Sequence, residues 1–191
     1  MEKKNFQLIT DEIISALPKD RRPLLLLHTC CAPCGSYVLK YLSEYFDIDV
    51  LYYNPNIFPS EEYAKRLSEL EKLCALGNFS GRVHLIEIGY YPERFDEAAK
   101  GLENEPEGGA RCEKCFRLRL TEAALEAKKR NADRFSTTLS VSPHKNSALL
   151  NQIGGELEKE YNIRYLYSDF KKRGGYKKSI ELSKKYGLYR Q

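Results

Sequence analysis

The chain has 191 residues, of which 42% are hydrophobic, so it can form one sizeable core without the help of disulfide bonds. It has no apolar run near the roughly 20 residues that cross a bilayer, and its first residues lack the cleavage site of a secretory signal. These features argue against a disulfide-rich secreted domain and a membrane protein. They predict a single domain over residues 1–191 in the cytoplasm.

The formal net charge of +4 is unevenly distributed. From Arg164 to Gln191 there are 9 Lys or Arg and 2 Asp or Glu, which gives +7, whereas the rest of the chain sums to −3. Concentrated positive charge suits a phosphate backbone, since each Lys or Arg that neutralises a phosphate releases counterions. A solvated basic helix explains the pattern equally well. We therefore expect a basic C-terminal helical segment over residues 171–191 and keep RNA binding as a hypothesis.

Short apolar runs alternate with amphipathic stretches along the chain. The apolar runs predict five strands, over residues 22–30, 47–57, 82–91, 134–142 and 163–170. The amphipathic stretches predict helices over residues 35–45, 60–76, 92–100, 115–130, 146–161 and 176–186. Strands separated by helices indicate an α/β domain whose parallel sheet is covered on both faces. The polar, glycine-bearing stretch at residues 101–110 predicts a loop.

Five of the six cysteines form two compact groups. Cys30, Cys31 and Cys34 lie in HTCCAPC, directly after the first predicted strand. Cys112 and Cys115 lie in RCEKC, just ahead of a predicted helix. Two thiolates at this spacing can reach one metal centre, and helix N-termini favour the thiolate that binds iron. We therefore expect a metal site built from all five cysteines.

Three kinds of site fit these cysteines. Structural zinc usually takes two CxxC pairs within about 15 to 20 residues, whereas two strands and two helices intervene here. A thioredoxin-like dithiol would use Cys31 and Cys34 but would leave Cys30, Cys112 and Cys115 without a role. A [4Fe–4S] cluster uses four thiolates and leaves a fifth for a second metal, a bridge or the substrate. We prefer the cluster and place it at the carboxyl edge of the strands, where open α/β sheets bind ligands.

Other residues at the predicted strand ends are candidates for chemistry. His28 could orient sulfur or donate a proton, although a buried structural imidazole explains it as well. His144 and Lys145 stand ahead of a helix, where they could bind an anion, protonate a substrate oxygen, or simply form a capping turn. Cys74 lies on the apolar stripe of its helix with Tyr63, so we expect it to pack in the core.

A further set of residues could contact nucleic acid. Asn54 and Asn56, near the end of the second predicted strand, suit a turn, and Tyr53 offers a flat ring to a base. The residues near Gly174 and Gly175 combine positive charge with a backbone that can approach a ligand closely. The candidates are Tyr53, Asn54, Asn56, Asp169, Lys171, Arg173, Lys177 and Arg190.

Five sequence blocks carry a resemblance to a known family. They are HTCCAPC, YYNPNIFPSEEYAKR, RCEKCFRLRL, TTLSVSPHKN and the segment from YLYSDF to YRQ, in this order. Over nearly its whole length the chain resembles the epoxyqueuosine reductases of the QueH type, most specifically in the double cysteine before APC and in RCxxCF. The resemblance implies an oxidoreductase for the last step of queuosine biosynthesis. In that step, epoxyqueuosine at the wobble position of a tRNA loses its epoxide oxygen in a two-electron reduction.

The resemblance also implies a site. It assigns the cluster to Cys30, Cys31, Cys112 and Cys115, and leaves Cys34 as a surplus thiol that could hold an additional iron. On this basis the catalytic residues are Cys34 and the candidate proton donors His144, Lys145 and His28.

The implied fold is similar to the adenine nucleotide hydrolase and PP-loop (HUP-like) group. HTCCAPC stands where those enzymes carry their SGGxDS phosphate loop, so we expect no ATP use. We expect a monomer that acts on tRNA with an unidentified electron donor. Members of the family commonly carry a CxC tail beyond YRQ. Two alternatives stay open, an iron–sulfur-dependent tRNA thiolase of the PP-loop type and a zinc-stabilised RNA-binding module.

Overall fold

The centre of the molecule is a four-stranded parallel sheet, in a computed structural model that describes residues 4–191. Its strands, in the spatial order β3-β2-β1-β4, are β1 (Leu24–His28), β2 (Asp47–Tyr52), β3 (Val83–Glu87) and β4 (Arg134–Thr137). Runs such as LLLLH form these strands because a central parallel strand is buried on both faces. The predicted α/β domain with a parallel sheet is confirmed.

Helices cover both faces of the sheet. They are α1 (Phe6–Ser15), α2 (Ala32–Leu42), α3 (Ser60–Leu76), α4 (Pro92–Ala99), α5 (Ala110–Lys129), α6 (Ser147–Tyr161) and α7 (Gly175–Lys185). Leu25 and Leu27 of β1 belong to a core that includes residues of α2 and α3, whereas Leu26 belongs to a second core with α5 and α6. This split follows the alternation of side chains along a strand. Among residues 4–191, no helix has the length and apolar character needed to cross a bilayer.

The predicted fifth strand, over residues 163–170, is wrong. Tyr165 forms one isolated parallel bridge with Phe135, in which the Phe135 amide donates to Arg164 and the Leu166 amide donates to Phe135. The pairing stops there because β4 ends at Thr137 and the chain turns into a 3-10 helix at Thr138–Val141. In this register β4 ends opposite Tyr167, so within the described chain residues 168–170 have no strand beside them.

Several helix boundaries also differ from the predictions. Helix α1, which was not predicted, starts after Asn5, whose side chain accepts a hydrogen bond from the Gln7 amide. Helix α2 begins at Ala32 rather than Gly35, with Pro33 in its first turn, where a missing amide proton costs nothing. Helix α5 begins at Ala110 rather than Cys115, so both cysteines of RCEKC lie inside its first turns.

The order of the strands identifies where a ligand should bind. From β1 the chain passes through α2 to β2 on one side, whereas β4, preceded by α5, pairs with the other side of β1. This reversal is the topological switch point, and the crevice outside the strand ends at such a point is the usual ligand site of open α/β sheets. The loop that follows β1 carries Cys30 and Cys31 into it.

Candidate metal centre

Three cysteine sulfurs converge at the end of β1. The Sγ atoms of Cys30, Cys31 and Cys34 all lie within 4.8 Å of one another, and the first two are 3.8 Å apart. Cys31 is the residue before α2, and Cys34 lies in the first turn of that helix. A tetrahedral ion with metal–sulfur bonds of about 2.3 Å would place its sulfur ligands roughly 3.8 Å apart. All six cysteines are free thiols, and this group of three could hold a metal.

The three thiols share their protons unequally. Hydrogen bonds from Cys31 and Cys34 lower the pKa of Cys30 well below its ordinary value, and the charge of Arg119 lowers it further. The hydrogen bond between Cys31 and Cys30 raises the pKa of Cys31 to about 12, and the bond between Cys34 and Cys30 is the main reason why the pKa of Cys34 is raised. Without a metal, Cys30 is therefore the thiol of the three that ionises most readily, because hydrogen bonds from the other two favour its thiolate.

Backbone and buried amide groups hold the loop that carries these cysteines. The Thr29 amide donates to the Leu51 carbonyl at 2.9 Å, which extends the β1–β2 pairing by one residue. The Asn54 side chain, fully buried, donates to the Thr29 carbonyl at 3.0 Å. Asn54 was a candidate for contact with nucleic acid. Its burial rules out that contact and gives it a structural role beside the metal centre.

His28, the last residue of β1, is hydrogen-bonded to the end of β4 and to the residue after β2. Its fully buried ring contacts the Thr137 hydroxyl through Nδ1 at 2.9 Å and the Tyr53 carbonyl through Nε2 at 3.1 Å. A carbonyl can only accept, so Nε2 carries the proton and Nδ1 accepts from Thr137. Burial lowers the pKa of His28 to about 4. Of its two proposed roles, orienting the sulfur loop fits this geometry, whereas donating a proton to a substrate does not.

The second cysteine group lies on the first turns of α5. Cys112 accepts a hydrogen bond from the Gly108 amide at 3.3 Å, and Cys115 is only 8% exposed. Neither belongs to the set of three sulfurs within 4.8 Å. Cys30 and Cys112 pack against the same hydrophobic core, so α5 brings the second group to the side of the sheet that Cys30 faces. Both α5 cysteines line a cavity of about 320 Å³.

Helix α5 also supplies a residue that the sequence analysis missed. Arg119, one turn after Cys115, is 4% exposed and lines the same cavity. Its Nε donates to the Cys115 carbonyl at 3.2 Å. The RCEKCFRLRL block contains Arg119, but the pattern does not distinguish it from the surface residue Arg117, which pairs with Glu156.

A second cavity, of about 200 Å³, opens beside Cys31 and Cys34. Two of the predicted site residues, His144 and Arg190, line it, and His144 is exposed. Arg66, Ser142 and Tyr176 line it as well and were not predicted. Arg66 is held by Glu62 at 2.7 Å and contacts the side chain of Gln191. The signal for Arg66 was its place in the block YYNPNIFPSEEYAKR.

The remaining candidates lie in different surroundings. Tyr53 is fully buried, with the Arg94 guanidinium 5.4 Å from its ring centroid, so the prediction that it stacks on a base is wrong. Asn56 lines the cavity of the second cysteine group and has a buried Oδ1 without a hydrogen-bond partner in the described chain. Lys145 lines the same cavity and pairs with Glu107 at 3.3 Å.

The basic residues near the C-terminus divide into paired and free side chains. Lys171 pairs with buried Asp169 at 2.7 Å, and Arg173 pairs with Asp11. Lys177 is exposed on α7 and forms no ion pair within residues 4–191. Cys74 packs against the core, as predicted, and burial raises its pKa to about 11.

Comparison with known proteins identifies the family. The family model for "Epoxyqueuosine reductase QueH" matches residues 25–191. Curated proteins named epoxyqueuosine reductase QueH match all of this chain, with 42% identity in Staphylococcus epidermidis and 39% in Streptococcus pyogenes. The chain covers 82% and 76% of these two proteins. A relative from Thermotoga maritima is 37% identical over 87% of the chain and 85% of its own length.

The chain belongs to the QueH family. The range that matches the QueH model contains all six cysteines, both cavities and helices α2 to α7, and begins one residue after the start of β1. Helix α1 lies outside that range. The family is therefore shown by the same segment that contains the candidate metal centre.

Proposed function

We propose that the protein is an epoxyqueuosine reductase that acts on epoxyqueuosine in tRNA. The observation that carries this proposal is the convergence of three thiol sulfurs at the switch point of a QueH-family chain. In the reaction, the two carbon–oxygen bonds of the epoxide break and a carbon–carbon double bond forms. Two electrons from a donor and two protons complete the balance, and the oxygen leaves as water.

The cysteine sulfurs suit an iron–sulfur centre. They are soft, partly buried donors next to a cationic side chain, and thiolates are the usual ligands of such clusters. Cys30, Cys31, Cys112 and Cys115 would hold a [4Fe–4S] cluster, with Cys34 left as a ligand for an additional iron. When bound, the cluster supplies electrons one at a time.

Two side chains remain as proton donors to the substrate oxygen. His144 is the stronger candidate, since it is exposed and lines the cavity that Cys31 and Cys34 also line. Lys145 lines the neighbouring cavity but is held by Glu107, which reduces its freedom to approach a substrate. We assign proton donation to His144, with Lys145 as the alternative.

Most of the proposed contacts with tRNA lie near the C-terminus, and Arg190 lines the cavity beside Cys31 and Cys34. Arg190 lines it and Lys177 is exposed on α7, so both can neutralise phosphates without first breaking an ion pair. Asn56, Asp169, Lys171 and Arg173 are kept as further candidates, although the last three are engaged in ion pairs. Tyr176, which lines the cavity with a partly exposed ring, can take the stacking role that Tyr53 cannot.

The fold supports a reaction without ATP. The parallel order β3-β2-β1-β4 agrees with the proposed similarity to the HUP-like group. In this chain the loop after β1, the usual place for a phosphate loop, contains Thr29, Cys30 and Cys31. We therefore propose that the switch point was converted from phosphate binding to metal binding.

The test is turnover by protein purified under anaerobic conditions. Wild type is incubated with a chemical reductant and tRNA that carries epoxyqueuosine, and the nucleosides are analysed by mass spectrometry. We expect loss of one oxygen atom without ATP, no product from Cys31→Ala, and product from the control Cys74→Ala. Iron- and sulfide-loaded wild type that leaves the epoxide intact would refute the proposal. Sulfur incorporation that requires ATP would indicate a thiolase instead.

The spacing of the three sulfurs also supports a second candidate, a zinc-stabilised RNA-binding module. Sulfurs within 4.8 Å of one another suit a single ion as well as part of a larger centre. Iron, sulfide and zinc contents separate the two functions. A colourless, zinc-loaded protein that binds tRNA and never alters the epoxide would favour the module.

A further inference from the structure

Arg119 is a buried cation in the cavity of the second cysteine group. Its side chain is 4% exposed and donates one hydrogen bond, from Nε to the Cys115 carbonyl at 3.2 Å. The guanidinium lies 5.8 Å from the centroid of the Phe116 ring. Arg119 lines the cavity that Cys112 and Cys115 also line. An arginine cannot lose its proton in a protein, so Arg119 is charged in this position.

Within the described part of the chain, no carboxylate forms an ion pair with this charge. Among residues 4–191, Arg119 forms no ion pair. By contrast, Arg117 on the same helix pairs with Glu156, and Arg94 pairs with Glu122 of α5 at 2.9 Å. The cavity beside Arg119 is lined by two more basic residues, Arg111 and Lys145, and by no acidic residue. Burial of an unbalanced charge costs several kcal/mol, so such a residue is expected to have an anionic partner.

The available anions are sulfur atoms. Cys112 and Cys115 share the cavity with Arg119, and Cys30 packs against the same core as Phe116. The guanidinium thus lies beside the second group of cysteines.

We propose that Arg119 is the buried counter-cation of the sulfur-ligated metal centre. This inference rests on the cluster of the proposed function. A cubane core held by four thiolates carries net negative charge, which grows by one unit on reduction. A fixed positive charge at its side therefore stabilises the reduced form more than the oxidised form and raises the reduction potential. Arg119 is a positioning residue for charge and does not itself contact the substrate.

The test compares reduction potentials of reconstituted proteins. Arg119→Gln removes the charge, Arg119→Lys keeps it, and Arg117→Gln removes the same formal charge from the exposed side of the same helix. Potentials are read from a spectroscopic redox titration, together with iron and sulfide contents and the melting temperature of the metal-free proteins. At a fixed donor potential, we expect Arg119→Gln to lower the reduced-to-oxidised ratio about tenfold, equivalent to about 59 mV for one electron.

The controls separate charge from shape. We expect Arg119→Lys and Arg117→Gln to keep the wild-type potential, and metal-free Arg119→Gln to melt no lower than wild type, because it loses an unbalanced buried charge. If Arg119→Gln cannot hold the cluster while Arg119→Lys can, the charge is again required. An unchanged potential in loaded Arg119→Gln would overturn the inference, as would equal failure of both Arg119 variants. Wild type that binds no iron and sulfide would instead refute the proposed cofactor.

Discussion

The two cysteine groups are built in different ways. Cys30, Cys31 and Cys34 follow β1 directly, and hydrogen bonds to β2 and to the residues after it hold their loop. Cys112 and Cys115 lie on the start of α5, behind a largely exposed loop at residues 100–109. The end of β1 and the start of α2 therefore position the first group, whereas the position of the second group depends on how α5 packs on the sheet. A metal centre that joins the two would connect the sheet to α5.

The largest expected effect comes from the first group. We expect Cys31→Ala to lose most bound iron and all measurable epoxide reduction, because it removes one of the three convergent sulfurs. The matched control is Cys74→Ala, which removes a thiol that packs against the core and is not one of these three sulfurs. Metal analysis and the mass-spectrometric assay measure the two results. Full iron content in Cys31→Ala would contradict the assigned ligand.

The second comparison asks whether the first group can work alone. We expect the double variant Cys112→Ala with Cys115→Ala to lose cluster sulfide, yet still to bind one cobalt ion per chain through the three sulfurs that lie within 4.8 Å. Cobalt–thiolate absorption measures this binding. The matched variant Cys30→Ala with Cys34→Ala should lose both forms of binding. Loss of cobalt binding in the α5 double variant would show that the first group is not formed independently.

A smaller effect is expected in the scaffold of the first group. Thr137→Val removes the partner of His28 Nδ1 and the acceptor for the Leu139 amide, so we expect it to lower the free energy of unfolding by about 1–3 kcal/mol. The neighbour Thr138 has a buried hydroxyl without a partner in the described chain, so Thr138→Val should be neutral or stabilising by about 1 kcal/mol. Urea unfolding of the metal-free proteins compares them. Equal destabilisation by Thr137→Val and Thr138→Val would contradict the expectation that the Thr137 hydroxyl stabilises the fold through His28.

The smallest effect is expected at the surface near the C-terminus. Lys177 is exposed and unpaired within residues 4–191, and we expect Lys177→Ala to reduce the slope of log affinity for tRNA against log salt by about 1. Lys128→Ala removes an exposed charge from the far end of α5 and should leave the slope unchanged. Binding measured over a range of salt concentrations tests this, and equal slopes for wild type and Lys177→Ala would remove Lys177 from the interface.

Local patterns in the sequence were enough for most elements of the fold. Helix α3 was predicted with its observed limits, because Glu61 and Glu62 favour its first turn and its apolar stripe ends before Gly77. The fifth strand was not predictable in this way. Residues 163–170 have the composition of a strand, but their pairing depends on where β4 ends. A strand needs a neighbour, and its neighbour is distant in sequence.

The candidate site shows the same division. The amino-acid sequence determined the family, the buried parallel strands and the two groups of cysteines, because these depend on composition, spacing and motif order. Only the tertiary structure decided which sulfurs lie together, that Tyr53 and Asn54 point inward, and that Arg119 is buried without a carboxylate. The physical reason is that burial and charge balance depend on packing between β1, β2 and α5, whose contacts join residues far apart in the chain.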